Sequence, residues 1–120
     1  MKNLKILVVD DEIELRSLFS EELELSGAKT LQAENGIEAL KILNKEKVDL
    51  VITDNNMPLM KGIDLIIEAK KFVNIPFILF VEDPTRVTEY QHANVDYFIS
   101  KPLDFEALAM LIDSHFKIAR

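Results

Sequence analysis

The chain reads as a doubly wound α/β domain, a five-stranded parallel sheet in the order 2-1-3-4-5 with helices on both faces. Three observations lead there. Apolar or β-branched runs at residues 5–9, 28–33, 48–53, 77–81 and 97–99 have the composition of buried strands. The segments between them place apolar residues at helical spacing, and strand alternating with helix means a parallel sheet covered on both sides. Right-handed crossovers then leave few topologies, of which 2-1-3-4-5 is the commonest for five strands. The length, 120 residues, suffices for one core and is too short for two, so 1–120 is expected to be a single domain.

After the first strand, Leu15, Leu18, Phe19 and Leu23 form one apolar helical face. Asp11 and Glu14 are spaced as a capping box that would start this helix, and Gly27 would end it. Asn35-Gly36 opens a second helix with Ala39, Leu40 and Leu43 turned inward. A third is expected over residues 63–72, with Leu65, Ile66 and Ala69 on one side. Asp83-Pro84 is a start signal for a fourth, which has only Val87 and Tyr90 as apolar anchors and should be short and the least stable part of the fold. The last, residues 104–117, buries Phe105, Leu108, Leu111, Ile112 and Phe116.

Composition narrows the function. Hydrophobic content of 48% beside 29% charged residues describes a folded globular chain. A net charge of −7 argues against direct nucleic-acid or anionic-membrane binding, and the lack of cysteine excludes disulfide and thiol chemistry. The apolar run near the N-terminus is too short for a signal peptide and ends in acids, and no segment could span a bilayer; a cytoplasmic location is expected. There are no repeats or low-complexity stretches.

Ligands of such sheets sit at the carboxyl ends of the strands, beside the switch point between strands one and three. Strand one ends in Asp10-Asp11-Glu12, strand three in Asp54 before the turn residues Asn55, Asn56 and Pro58, and strand five in Ser100-Lys101-Pro102. Three carboxylates would converge, and two of them about 4 Å apart repel by roughly 4 kcal/mol at an effective dielectric of about 20. A hard divalent cation with oxygen ligands, Mg²⁺ above all, is the fitting compensator. Lys101 adds a second positive charge. A carboxylate flanked by both is equipped to attack phosphorus. Taken singly, Asp11 reads equally as a helix cap, Asp10 as a solvated strand end and Lys101 as a surface lysine; the co-occurrence carries the argument.

These motifs together, Val9-Asp10-Asp11-Glu12, Asn35-Gly36-Ile37-Glu38-Ala39-Leu40, Asp54-Asn55-Asn56-Met57-Pro58 with Gly62, and Phe98-Ile99-Ser100-Lys101-Pro102, resemble a response-regulator receiver domain of the two-component systems over essentially the whole chain. The fold this implies is flavodoxin-like. The resemblance implies that Asp54 accepts a phosphoryl group from a histidine kinase, a phosphotransfer protein or a small phosphodonor, as a phosphoacceptor and not a turnover enzyme. It implies Mg²⁺ held by Asp11, Asp54 and the main-chain carbonyl of Asn56, with Asp10 helping through water. Lys101 would bind a phosphoryl oxygen, and its bond to Pro102 is expected to be cis. Phe98 falls at the switch aromatic position, although a large aromatic on an inner strand is core by default. Signal would pass through the face of helix four, strand five and helix five to an output protein, an effector domain or a second copy.

The chain also departs from that pattern. Where the family places Thr or Ser followed by a small residue, Val81 and Glu82 stand. A hydrogen bond to a charged group contributes roughly 1.5–3 kcal/mol, while a full two-state switch needs about 5.5 kcal/mol. Losing the hydroxyl therefore removes much of the drive. Glu82 adds bulk and negative charge near the mouth, or else points to solvent. The alternative function is a degenerate receiver acting as a phosphorylation-independent binding module. Other classes fit less well: an FMN site needs a hydroxyl- and glycine-rich loop where this one is acidic, and hydrolases with an Asp nucleophile carry a second acid where Asn56 stands. His92 and His115 lack metal-ligand spacing.

Overall fold

The computed structural model describes residues 1–102 and 104–117, apart from the side chain of Val87. Five strands, β1 (Lys5–Val9), β2 (Lys29–Ala33), β3 (Leu50–Asp54), β4 (Phe77–Val81) and β5 (Tyr97–Ser100), form one parallel sheet in the order β2-β1-β3-β4-β5. The helices are α1 (Ile13–Leu25), α2 (Gly36–Lys45), α3 (Gly62–Ala69), α4 (Val87–His92) and α5 (Phe105–Phe116).

Because successive strand residues face opposite ways, each strand feeds two cores. Ile6, Val8, Leu50, Ile52, Ile78 and Phe80 meet Phe19 and Leu23 of α1 and Leu108, Ala109 and Ile112 of α5. Leu7, Val9, Val51, Phe77, Leu79 and Val81 meet residues of α2, α3 and α4 on the other face. β3 and β4 are buried at every position, as central strands of such a sheet must be.

Several helix limits differ from the sequence reading, and local carboxylates explain two of them. The Asp11–Glu14 capping box does not form: α1 is capped at Glu12 without a side-chain bond, and the Glu12 N–H donates instead to Asp10 Oδ1 at 2.9 Å. Asp83-Pro84 does not start α4. Asp83 accepts the N–H and hydroxyl of Thr85 at 2.9 and 2.5 Å, which makes a turn, and α4 begins after Arg86. α4 is short, at six residues. The side chain of its other expected anchor, Val87, lies outside the described residues. α3 stops at Ala69, leaving Phe72 half exposed, and Leu18 of α1 is likewise exposed. Asn35 and Asp104 cap α2 and α5, Asn35 accepting the Glu38 N–H and Asp104 those of Glu106 and Ala107. Gly27 follows α1 at φ +100°, a left-handed conformation that suits glycine.

Candidate functional site

The register of the ladders brings the acids together. Val9 pairs with Thr53 across β1 and β3, so the next residues, Asp10 and Asp54, end adjacent strands side by side. Both share parity with the α1/α5 layer, continuing Ile6–Val8 and Leu50–Ile52. Carboxylate oxygens of Asp10, Asp11 and Asp54 all lie within 4.8 Å of one another. Asp10 and Asp54 are buried and Asp11 is exposed, so the cluster opens to solvent on one side.

Lys101 closes it. It continues the Tyr97–Ile99 parity one step past β5, and its N–H donates to the Val81 carbonyl at 2.9 Å. Its Nζ lies 3.0 Å from Asp54 Oδ1 and 3.9 Å from Glu82 Oε1. The Lys101–Pro102 peptide is cis. A cleft of about 210 Å³ beside these groups is lined by Asp10, Lys101 and the apolar side chains of Leu15, Phe19, Phe80 and Pro102, among others.

The charges perturb one another. Burial pushes the Asp10 carboxyl up to about 6, and the charges of Asp54, Asp11 and Glu12 add to it against the Glu12 N–H. Burial pulls the Lys101 ammonium down, but the hydrogen bond and charge of Asp54, with Glu82 and Asp10, outweigh it and hold it above its ordinary value. Three hard oxygen donors from Asp10, Asp11 and Asp54, two of them buried, suit a small divalent cation such as Mg²⁺.

The other residues singled out in the sequence fall as follows. Asn56 lies exposed in the turn two residues after Asp54. Val81 is buried in the α2/α3/α4 core and offers no hydroxyl. Phe98 is on an edge strand, not an inner one; it is partly exposed, with its ring centroid 5.1 Å from that of Tyr90 on α4. His92 and His115 are exposed, and His115 Nδ1 pairs with the Tyr97 hydroxyl at 2.5 Å.

Sequence reasoning named Asn55 and Gly62 only as turn and motif residues and passed over how they, with Arg16, hold this corner in place. Asn55 accepts the Ile63 N–H on its side chain at 3.1 Å, and its carbonyl accepts the Gly62 N–H at 3.1 Å. This draws α3 so close that a Cβ on Gly62 would sit 2.4 Å from the Asp54 carbonyl oxygen. Arg16 donates to the Asp10 carbonyl at 2.7 Å. At the far end of the sheet, Asp49 accepts the Lys5 N–H and Asp96 the Phe77 N–H, each at 2.8 Å. The signal for these two was available: Val48-Asp49-Leu50-Val51-Ile52-Thr53-Asp54 and Val95-Asp96-Tyr97-Phe98-Ile99-Ser100-Lys101 echo each other. Each run is anchored by an acid and delivers a charged side chain five residues later.

Comparison with known proteins agrees with this geometry. The response regulator receiver domain pattern matches residues 6–113. The transcriptional regulatory protein GlrR of Escherichia coli is 38% identical over 116 residues, a match covering 93% of this chain and 26% of GlrR. The chain thus spans about a quarter of that relative. The chemotaxis protein CheY-3 of Vibrio cholerae is 34% identical over 122 residues, covering 97% of this chain and 94% of CheY-3. Among solved structures, the response regulator TrrA of Thermotoga maritima in complex with Mg²⁺-BeF superposes with a TM-score of 0.83 at 35% identity, covering 95% of this chain and 98% of that one. With its matching pattern, its sheet order and its acidic corner, this chain belongs to the response regulator receiver domain family.

Proposed function

We propose that the chain is a phosphorylatable receiver: Asp54 accepts a phosphoryl group from a histidine kinase or phosphotransfer protein in the cytoplasm, and the change is relayed through α4, β5 and α5 to an output partner. The observation that carries this is the pairing of Asp54 with Lys101 at 3.0 Å inside a cluster of three carboxylates. An Asp54 carboxylate oxygen attacks phosphorus, an acyl phosphate bond forms, and the donor's bond to phosphorus breaks with its electron pair leaving on the donor. Lys101 then moves its ammonium from the Asp54 carboxylate to a phosphoryl oxygen. Asp11, Asp54 and the Asn56 carbonyl would hold Mg²⁺, with Asp10 acting through water. When bound, Mg²⁺ supplies positive charge against the phosphoryl oxygens. Apolar walls from Leu15, Phe19, Phe80 and Pro102 limit water on one side of the nucleophile.

Phos-tag electrophoresis after incubation with acetyl phosphate and Mg²⁺ tests the reading. A retarded band is expected for the wild type and none for Asp54→Ala; a wild type that stays unshifted even at high salt, where surface charges are screened, would overturn it. With Val81 offering no hydroxyl, the relay draws on fewer contacts, and the binding-module reading predicts that unshifted result.

A further inference from the structure

The segment joining β4 to α4 carries a contact that transfer to Asp54 does not require. Glu82 follows Phe80 by two residues, which places it on the α1/α5 side of the sheet with Asp54 and Lys101. Its Oε1 stands 3.9 Å from Lys101 Nζ although the side chain is 66% exposed. The turn behind it is tied down. Thr85 bonds the Asp83 carboxylate, and the buried Tyr90 donates its hydroxyl to the Asp83 carbonyl at 2.7 Å. The position of Glu82 is therefore set by a braced backbone and not only by its own flexible side chain.

We propose that Glu82 is a specificity-determining residue of the phosphoryl-transfer site, whose carboxylate shares Lys101 with Asp54 and turns away free anionic phosphodonors. This inference rests on Asp54 being the phosphoacceptor. A small donor arrives with negative charge and few other contacts, so one more carboxylate at the entrance lowers its local concentration directly. A donor group carried by a protein brings a binding surface of its own, and the same repulsion is a smaller share of its affinity. Glu82 thereby tilts the site toward carried donors.

The test is the rate of Asp54 phosphorylation of the full chain by acetyl phosphate with Mg²⁺, at low and high salt. Glu82→Gln keeps the size of the side chain and removes its charge. At about 20 mM salt it should be labelled roughly three- to tenfold faster than wild type, and the ratio should approach one near about 0.5 M salt as the charge is screened. Glu89→Gln, with the same change in net charge on α4 and an ion pair only to Arg86 in the described contacts, should stay within about twofold of wild type. If the wild type is labelled and Glu82→Gln is no faster, or is faster by a factor that salt does not change, the inference fails and the phosphoacceptor reading stands. If neither chain is labelled, both fail together.

Discussion

Asp10 is a residue whose surroundings oppose its charge. With its folded pKa near 6 against an ordinary 3.8, the folded protein holds that proton more tightly than the unfolded chain does. Its contribution to stability is therefore complete below about pH 4 and is lost as pH rises through about 6. In metal-free protein this amounts to about 2–3 kcal/mol. Asp10→Asn should raise the metal-free stability at pH 7 by an amount of that order, flatten its dependence between pH 4 and 7, and shrink the rise in melting temperature that the proposed Mg²⁺ site predicts for the wild type in millimolar Mg²⁺. Thermal melts at pH 5 and 7 check this; a destabilised Asp10→Asn at pH 7 would contradict it. Gly62 makes the opposite point, since its constraint is steric. A Cβ there would meet the Asp54 carbonyl at 2.4 Å and Leu79 Cδ1 at 2.7 Å. The backbone contact cannot be relieved by a rotamer, so Gly62→Ala should cost about 3 kcal/mol or more in urea unfolding.

At the scale of elements, the strands were the legible part. Strands buried on both faces are apolar along most of their length, and that leaves a clear mark in the runs of β3, up to Thr53 and Asp54, and of β4. Helix starts were harder. An Asp or Asn ahead of a helix can cap it, reaching the N–H three residues on, or bond only the N–H two residues on and close a turn short of the helix; Asn35 and Asp104 did the former, Asp10 and Asp83 the latter. Strand starts are held by a device that helix and strand periodicity do not flag, although the echo between the Asp49 and Asp96 runs does. Asp96 serves the Phe77 N–H and pairs with Lys70 at 2.9 Å, so one carboxylate joins β4, the approach to β5 and the end of α3. Asp96→Ala leaves that N–H without its acceptor and should cost about 1–3 kcal/mol. Asp96→Asn, which keeps an acceptor oxygen, should recover most of the loss in the same urea titration.

Across the whole molecule, the grouping at the rim was readable because it follows from order alone: once strands one, three and five are known to be parallel, their last residues must lie along one edge of the sheet. What order could not supply was height. The pairings Asp54 with Phe80 and Phe80 with Ile99 put Lys101 two residues farther out than Asp54, so the long side chain leans back over the shorter one. Nor could it show that Phe98, on the outer strand that the expected order already implied, would be partly exposed against Tyr90 instead of buried. The echo between the third and fifth strands has a further consequence. The interval from Asp96 to Lys101 is a count, and an odd change to it hands the ammonium to the wrong layer however well the new side chains pack. Evolution can rewrite what those residues are far more easily than how many there are.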